Sequence, residues 1–452
     1  MNVLFVHRAF PGPYHNLAPA LAARGHCVLA LTMAPVESGR YGVKIIRYGM
    51  RCSGAAGVHP WAAGFETEVL HGERVAFVAL KLRADGFMPD VICVHPEWGE
   101  ALFLKDVWRD AKQVNYCEVY HRAHGAEAGF DPEFSTLDVA TSARLRARNA
   151  CNLLSLEASD LGISPTYWQR ALFPDWAQAR IAVIHHGIDT DLVRPDPQGS
   201  FRPARFDRTF FPGDEIVTFV NRDLCPQRGY HVFMRALPAL LRLRPAARVV
   251  IVGGNGNRSD AAPPRGRTWK DIFFEEVRSS IDRTRVHFLG RVPHLFLLQL
   301  LQVSAAHVHL AYPRPVSASL LEAMSAGCLV IGARTPPVEE VIDHERNGLL
   351  VDFFDTAELA RTIAAVLDDQ DAFLPLRMTA RADVVAKYDL HRVCLPQQVA
   401  FIESLQPQAL PPPPHFSRLD VATAQGPTPV AQHFCHPEIA GDVLAPGARG
   451  GG

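Results

Sequence analysis

The feature that most limits the fold of this chain is a long alternation of short apolar runs with segments of helical periodicity. The first run is VLFV, near the N-terminus, and the helical segment YHNLAPALAARGH follows it after a Pro-Gly-Pro break. The apolar runs lack the polar alternation of a half-exposed strand. Strands of this kind are buried on both faces, as in parallel sheets covered by helices. The pattern therefore predicts an α/β protein built on parallel sheets.

The alternation occurs in two series, and a different kind of segment separates them. Residues 191–213, DLVRPDPQGSFRPARFDRTFFPG, are rich in Pro, Arg and Asp and have the composition of an interdomain linker. We therefore predict one Rossmann-like domain over residues 1–190 and a second over residues 214–385. Parallel α/β domains bind ligands at the carboxyl ends of their strands, so the cleft between the domains is the expected site.

The remaining residues follow the second series. Residues 386–405 are predicted to form a C-terminal helix that packs back on the N-terminal domain. Residues 406–452 contain PQALPPPPH, end in GARGGG and lack periodicity. That composition predicts a Pro/Gly-rich, disordered tail.

Composition excludes several classes of protein. The chain has 452 residues, of which 48% are hydrophobic and 21% charged, and its formal net charge is -1. These values are typical of a soluble protein of two globular domains and exclude a nucleic-acid binder. The nine cysteines are scattered and form no CxxC pair, which indicates a reducing compartment and no zinc site.

The N-terminal apolar run is too short for a signal peptide, and no uncharged stretch is long enough to span a bilayer. We therefore expect a cytoplasmic protein. Peripheral contact of its N-terminal domain with the inner membrane stays open as an alternative.

The strongest local signal is SLLEAMSAGCLVIGARTPPVEEVIDHERNGLLV, residues 319–351. A helix that begins after the turn PVSAS leaves its first backbone N–H groups without partners inside the helix, which predicts an anion site suited to a diphosphate. Those groups belong to Ser317, Ala318, Ser319 and Leu320. Glu322 is expected in the first turn, where a carboxylate either stabilises the helix dipole or accepts hydrogen bonds from a ribose.

The stretch LLEAMSAGCLVIG, followed by the pattern P-x-x-E-V-I-x-x-x-x-N-G-L-L-V, resembles the donor domain of the retaining GT-B glycosyltransferases of family four. The resemblance implies the GT-B fold, two Rossmann-like domains that face a cleft. It also implies transfer of a sugar from a nucleotide-sugar to an acceptor with retention, without a metal or cofactor. The acceptor is expected to be a sugar, a lipid-linked molecule or a small molecule, in the synthesis of a bacterial cell-surface polysaccharide or glycoconjugate.

The same resemblance implies roles for single residues. The family shows one glutamate, seven residues and a second glutamate, and the second falls on Glu322, which would bind the ribose. The first, which contacts the donor sugar in the family, falls on Arg314. In the family, an arginine and a downstream lysine hold the diphosphate. In NRDLCPQRG, Arg222 matches the arginine and Arg228 takes the place of the lysine, with a spacing one residue longer than in the family. Guanidinium groups can fork onto phosphate oxygens. Val292 falls where the family's backbone contacts the base.

Two positions in the N-terminal domain also match. His95 ends the apolar run VICVH and takes the place of a histidine that faces the acceptor and the donor sugar, although a histidine at a strand end commonly has a structural role. Gly12, in FPGPYHN, lies in the loop where the family's backbone approaches the donor. Because Pro11 and Pro13 have no N–H groups, this loop is expected to form a wall of the site and not a phosphate cradle.

The segment between residues 95 and 134 is dense in polar and aromatic side chains, a composition that suits sugar hydroxyls and sugar faces but also a solvated loop. Its members are Glu97, Trp98, Glu100, Glu118, His121, His124 and Asp131. The last three are candidate metal ligands, but they lack tight ligand spacing, so no metal is expected. His185 and His186 are expected to shape the crossover between the domains.

In the implied mechanism, Arg222, Arg228 and the helix N-terminus stabilise the departing diphosphate. No carboxylate replaces the missing first glutamate, so no nucleophile is assigned, and front-face attack assisted by the leaving phosphate is the working hypothesis. Two other classes stay open. A GT-B epimerase would use Glu97 and Glu100 as acid–base groups in the cleft, and a catalytically inactive nucleotide-binding relative would explain Arg314.

Overall fold

The structure is a computed structural model that describes residues 1–35, 42–49, 57–203, 208–256 and 263–406. The tail predicted over residues 406–452 therefore lies outside the described residues from position 407 onward. In these described ranges thirteen strands form two sheets, and every strand pair in both is parallel. The predicted fold class, two Rossmann-like domains, is confirmed.

The N-terminal sheet has seven strands in the order β3-β2-β1-β4-β5-β6-β7. They are β1 (Asn2–Val6), β2 (Cys27–Thr32), β3 (Lys44–Arg47), β4 (Val91–Val94), β5 (Lys112–Tyr116), β6 (Leu161–Ser164) and β7 (Ile181–Val183). Val3 pairs with Val28 on one side and with Val91 on the other. The strand order reverses between β1 and β4, so the residues after these two strands flank a crevice.

Helices cover both faces of this sheet. They are α1 (Leu17–Ala23), α2 (Ala63–Ala84), α3 (Leu104–Val107), α4 (Val139–Arg148), α5 (Ala150–Ala158), α6 (Tyr167–Leu172) and α7 (Asp175–Gln178). The side chains of β1 divide between two apolar clusters: Val3 and Phe5 pack with α1, and Leu4 and Val6 pack with α2. This burial on both faces explains the continuous apolar runs in the sequence.

The C-terminal sheet has six strands in the order β10-β9-β8-β11-β12-β13. They are β8 (Ile216–Asp223), β9 (Arg248–Gly254), β10 (Val286–Gly290), β11 (Ala306–His309), β12 (Leu329–Ala333) and β13 (Leu349–Val351). Its order reverses between β8 and β11. The crevice of this domain therefore lies where β8 and β11 end.

The helices of the C-terminal half complete the second domain and return to the first. They are α8 (Tyr230–Leu243), α9 (Trp269–Val277), α10 (His294–Gln302), α11 (Ala318–Ser325), α12 (Pro336–Glu339), α13 (Thr356–Asp368), α14 (Leu374–Tyr388) and α15 (Leu395–Glu403). α15 packs against α1, and its Val399 and Ile402 are buried in the N-terminal core. Arg24 donates two hydrogen bonds to the carboxylate of Glu403, at 2.8 and 2.9 Å.

The segment between the two sheets is in part a packed structure. Phe201 and Phe210 form an isolated antiparallel bridge and are 1% and 2% exposed. They pack with Ile216 of β8 and Leu300 of α10. This part of the predicted linker therefore belongs to the surface of the C-terminal domain.

The chain passes from the first domain to the second after β7 and returns after α14, and these two crossings contact each other. Ile188 exchanges backbone hydrogen bonds with the end of α14, donating to Tyr388 and accepting from Leu390, both at 2.8 Å. Asp389 in this crossing is buried and accepts hydrogen bonds from Thr190 and Arg392. Within the described part of the chain, no helix has the length and apolar character needed to cross a bilayer.

Candidate functional site

A cleft of about 1460 Å³ lies between the domains, and both domains line it. Its lining includes seven of the ten residues predicted to act in catalysis or donor binding, namely Gly12, Arg222, Arg228, Val292, Ser317, Ala318 and Ser319. The other three, His95, Leu320 and Glu322, are not among the residues that line it. Folding therefore brings most of the predicted positions together, although Gly12 and Ser319 are about 300 positions apart in sequence.

The two predicted diphosphate ligands follow the central strand of the C-terminal sheet. Arg222 lies at the end of β8 and is exposed to the cleft, whereas Arg228 ends a short 3-10 turn, Pro226–Arg228, and is partly buried. Its Nη1 atom is buried and has no hydrogen-bond partner among the described residues. Burial, with a smaller effect from the neighbouring Arg314, lowers the pKa of Arg228 to about 10. Arg228 therefore stays charged at neutral pH.

α11 begins at the wall of the cleft and has Ser317 as its N-cap. The Ser317 hydroxyl makes no capping bond and lies 2.7 Å from the Ser319 hydroxyl. The prediction for Leu320 is wrong, because its N–H donates to the Ser317 carbonyl at 3.1 Å and its side chain is fully buried. The backbone that faces the cleft at this helix end thus belongs to residues 317–319, with the positive end of the helix dipole behind it.

Glu322 is the fifth residue of α11, so its predicted place in the first turn is also wrong. Its side chain is 13% exposed, and its Oε1 lies 2.8 Å from Nε2 of His294, the first residue of α10. His294 is 52% exposed and was not selected from the sequence. The carboxylate therefore already has one partner, at the rim of the site.

The wall after β10 contains a second pairing that the sequence did not indicate. Arg291 lines the cleft beside Val292 and donates to Oδ1 of Asp223 at 2.7 Å. The same oxygen accepts from the Gly256 N–H at 3.1 Å. The end of β8 is thereby tied to the ends of β9 and β10, which holds this wall in place.

The requirement for glycine at position 12 is explained by a contact inside the N-terminal domain. Its φ is +48°, and a Cβ atom at this position would lie 2.4 Å from Cε1 of His7. A side chain is excluded because the backbone passes directly over the imidazole of His7, the residue that follows β1. The close approach at Gly12 is therefore to His7, and the loop itself forms a wall of the cleft, as predicted.

His95 follows β4, beside His7, and lies behind the cleft wall. It is 1% exposed and stacks on Trp98 with ring centroids 3.9 Å apart and an interplanar angle of 9°. Its Nε2 lies 3.1 Å from Oε2 of Glu118, whose side chain is 42% exposed and lines the cleft. Glu118, not His95, therefore presents the polar group of this cluster to a ligand.

The charges of this cluster follow from burial and pairing. Burial, with a smaller contribution from His95, lowers the pKa of His7 to about 4. Burial raises the pKa of Glu118, but the hydrogen bond with His95 and the charges of His95 and His7 outweigh it, so the net pKa lies below its usual range. At neutral pH the buried His7 is therefore neutral, and Glu118, which lines the cleft, is ionised.

The other carboxylates considered from the sequence lie elsewhere. Glu100 is 1% exposed and is paired with Arg8 at 3.1 Å and with the Tyr48 hydroxyl at 3.0 Å. Glu97 lies 3.5 Å from Nε2 of His121. Neither glutamate is among the residues that line the cleft. The expectation that Glu97 and Glu100 form an acid–base pair in the cleft, as an epimerase would need, is therefore wrong.

One segment of the N-terminal half, residues 127–134, enters the core of the C-terminal domain; we call it the inserted segment. The Phe130 ring lies 5.1 Å from the rings of Tyr312 and Phe353, between centroids. The Phe134 ring lies 5.0 Å from His231 and packs on the cluster around α8 and α9. Phe130 and Phe134 therefore do not belong to a solvated loop, which is one of the two interpretations of residues 95–134.

Asp131 anchors the inserted segment through a buried polar network. Its Oδ2 accepts from the Tyr312 hydroxyl at 2.8 Å and lies 3.0 Å from Nε2 of His231. Asp131, His231 and Tyr312 are 2%, 1% and 3% exposed. Burial raises the pKa of Asp131, but the hydrogen bonds with His231 and Tyr312 outweigh it and place the net pKa below its ordinary value. The network is thus held together by a buried carboxylate.

A group of metal-type ligands within the described residues includes Asp131, but its partners are Glu133 and His231 in place of the predicted His121 and His124. These groups already have protein partners: Asp131 is held as above, and Arg235 donates two hydrogen bonds of 2.7 Å to Glu133. The geometry is that of an interdomain anchor.

His185 and His186 stack on one another at the end of β7, with centroids 4.1 Å apart. The His185 carbonyl accepts from the Gln398 side chain of α15 at 2.8 Å, and His186 lines the cleft. The pair therefore lies at the contact between the crossover and the returning helix.

Two family models match this chain, one for each half. The glycosyl transferase family 4 group matches residues 24–193, and the glycosyl transferases group 1 matches residues 201–383. The chain belongs to the group 1 glycosyltransferases of family four. Both matched ranges contribute residues to the cleft described above.

Curated relatives of this glycosyltransferase differ in their substrates. D-inositol 3-phosphate glycosyltransferase of Nocardia farcinica is 30% identical over 207 residues, which are 45% of this chain and 44% of that protein. Glycogen synthase of Mycobacterium tuberculosis is 24% identical over 413 residues, 88% of this chain and 92% of that protein. The alignment to the first relative thus spans less than half of its length.

Solved structures share the fold of the glycosyltransferase. Sucrose-phosphate synthase of Thermosynechococcus elongatus superimposes with a TM-score of 0.67 at 19% identity, over 89% of this chain and 99% of that one. HepE of Anabaena, in complex with UDP-glucose, has a TM-score of 0.62 at 18% identity, over 89% of this chain and 100% of that one. Both likenesses concern the arrangement of the two domains.

Proposed function

We propose that this glycosyltransferase moves a sugar from a nucleotide-sugar donor to an acceptor with retention at the anomeric carbon. The observation that carries the proposal is the cationic wall formed by Arg222, Arg228 and the N-terminus of α11 at one cleft. Guanidinium groups and a helix N-terminus are the groups that proteins use to bind phosphate. The UDP-glucose bound by HepE, a protein of the same fold, supports the same assignment.

In this mechanism the cationic wall stabilises the diphosphate as the bond to the anomeric carbon breaks and negative charge develops on the leaving oxygen. The oxocarbenium-like sugar then faces the N-terminal domain, where the ionised Glu118 lines the cleft. The acceptor hydroxyl attacks from the face that the diphosphate leaves, and its proton passes to the departing phosphate. Protein cations supply the positive charge, so we infer that the reaction needs no metal or cofactor.

The first experiment is a thermal-shift screen with UDP, GDP, ADP and dTDP, since a ligand that binds only the folded state raises its melting temperature. We expect one nucleotide to raise the melting temperature of the protein. Arg222→Ala is expected to reduce the affinity for that nucleotide strongly, and Glu322→Gln is expected to reduce it too. Arg278→Ala and Glu275→Gln are matched controls, because these residues pair with each other at the C-terminal end of α9, outside the cleft lining. Unchanged nucleotide affinity in both site variants would refute the site.

Turnover then tests the reaction itself. The anomeric configuration of the product, measured by NMR, is expected to match that of the donor, and rates in EDTA are expected to equal those in Mg²⁺. Conversion of the nucleotide-sugar without an acceptor would instead indicate an epimerase. Tight nucleotide binding without turnover of any donor would indicate an inactive relative.

We also propose that the protein works in the cytoplasm, in the synthesis of a bacterial cell-surface polysaccharide or glycoconjugate, with peripheral membrane contact through its N-terminal domain. Phe77 and Leu80 support the contact, because they lie on one face of α2 and are 57% and 48% exposed. We expect the wild type to sediment with anionic vesicles and the Phe77→Ser, Leu80→Ser double variant to stay in solution. Leu295→Ser, which removes an exposed leucine of the C-terminal domain, is the control. Equal sedimentation of all three would exclude this contact.

A further inference from the structure

Arg314 is presented to the cleft from a firmly held piece of backbone. It follows β11 and lies between Pro313 and Pro315, whose rings limit the backbone torsions. Tyr312, just before them, donates its N–H to the Gln227 carbonyl at 3.1 Å and its hydroxyl to Asp131. The Arg314 side chain is 28% exposed and lines the cleft. The backbone that carries Arg314 is therefore held in place at the cleft.

The charges around Arg314 are unbalanced. Its closest carboxylate is Glu127 of the inserted segment, with Nη1 3.7 Å from Oε2, too long for a hydrogen bond. The Nε atom of Arg314 and the Nη1 atom of Arg228 are both buried without a hydrogen-bond partner among the described residues. Arg314 is also close enough to disfavour the charge on Arg228. Buried donors of two cations thus lack the anion that would compensate their desolvation.

The whole cleft shows the same imbalance. Among the described residues that line it, arginines outnumber carboxylates seven to two, and one of the seven, Arg291, is paired with Asp223. The diphosphate of a bound nucleotide, with two to three negative charges, does not balance this excess. The site as built therefore suits a ligand that carries a further negative charge.

The position of that further charge follows from the direction of Arg314. Arg222 and the start of α11 belong to the C-terminal wall. The guanidinium of Arg314 approaches Glu127, the first residue of the inserted segment, which lines the cleft where the chain passes from the N-terminal domain into the C-terminal domain. A donor sugar must lie between the diphosphate and the N-terminal domain in order to meet an acceptor there. Arg314 therefore lies along the path of the sugar.

Resting on the function proposed above, we propose that Arg314 binds a carboxylate of the donor sugar, so that the donor is a nucleoside diphosphate hexuronate. A planar carboxylate matches the fork of a guanidinium and can accept from the unpartnered Nε and one Nη atom together. On binding, the sugar carboxylate replaces the loose contact with Glu127. An arginine at this position then determines donor specificity, and the site retains its function.

The experiment compares two matched donor pairs by calorimetric titration: UDP-glucose with UDP-glucuronate, and GDP-mannose with GDP-mannuronate. On the base that the enzyme binds, the acid is expected to bind about tenfold more tightly than the neutral sugar, the effect of one charged hydrogen-bonded pair. Arg314→Gln is expected to abolish that preference and to lower the affinity for the free nucleotide much less than the affinity for the hexuronate. Arg314→Lys should restore part of it, since lysine keeps the charge and loses the fork.

Arg334→Gln is the matched control, because Arg334 is an exposed arginine of the same domain outside the cleft lining. Circular dichroism and melting temperature establish that each variant is folded. Equal or tighter binding of the neutral sugar by the wild type overturns the proposal. So does an Arg314→Gln variant that loses affinity for the free nucleotide as much as for the hexuronate, because Arg314 would then hold the diphosphate. Failure to bind any nucleotide overturns the proposed function as well, whereas nucleotide binding without a preference for the acid overturns only this inference.

Discussion

Tyr312→Phe removes a single hydroxyl group from the buried network that joins the inserted segment to the C-terminal domain. The hydroxyl donates to Oδ2 of Asp131 at 2.8 Å, and both residues are at most 3% exposed. A hydrogen bond to a charged group contributes about 1.5–3 kcal/mol, because the carboxylate left behind loses a donor that water cannot replace. We therefore expect the free energy of unfolding of the variant to be about 1.5–3 kcal/mol lower than that of the wild type.

The matched control is Tyr230→Phe. Tyr230 is a fully buried tyrosine of the same domain, but its hydroxyl donates to a neutral acceptor, the Lys270 carbonyl, at 3.3 Å. A neutral hydrogen bond contributes about 0.5–1.5 kcal/mol, so the control is expected to lose less. Urea unfolding followed by tryptophan fluorescence compares the two, and Trp269, which lies 5.3 Å from Phe134 between ring centroids, reports directly on the inserted segment.

The dependence on pH supplies a second test. Because the net pKa of Asp131 is lowered in the folded protein, its contribution is complete above the unfolded pKa of about 3.9 and is lost as pH falls through the folded value. The difference between wild type and Tyr312→Phe should therefore be constant at neutral pH and shrink below about pH 4. If Tyr312→Phe costs no more than Tyr230→Phe at pH 7, the charged anchor is not what holds the segment.

Two further predictions concern the N-terminal wall of the cleft. Gly12→Ala should lower the free energy of unfolding by about 2–5 kcal/mol, since the left-handed backbone costs about 1–2 kcal/mol and the overlap with His7 about 1–3 kcal/mol. Gly86 has a φ of +88° but open space around it. Gly86→Ala should therefore lose only the backbone contribution of about 1–2 kcal/mol in the same urea titration. Glu118→Gln should lower kcat about a hundredfold or more without changing the Kd of the free nucleotide, because the carboxylate faces the sugar side of the cleft. A variant with wild-type turnover would remove Glu118 from the chemistry.

The positions that form the proposed donor side of the cleft were largely predictable because they depend on local sequence. Arg222 and Arg228 follow a strand that the apolar run EIVTFV defines, and the turn before SLLEAM defines the start of a helix. Strand ends and helix starts are local features, and parallel topology then brings them to one edge of the sheet. The placement of Glu322 was predicted less well, because helix boundaries shift by a residue or two and its partner His294 begins a different helix.

The sequence by itself determined the two parallel α/β domains, because strands buried on both faces require continuous apolar runs, and these alternate with segments of helical periodicity. It also determined where the groups proposed to bind phosphate lie, after β8 and at the start of α11. Only the tertiary structure decided that residues 127–134 leave their own domain, that Asp131 meets His231 and Tyr312, and that Arg314 approaches Glu127. Each of these pairs joins residues about 100 or more positions apart. Their contacts depend on how the two domains pack, and a local period of two or 3.6 residues carries no information about that packing.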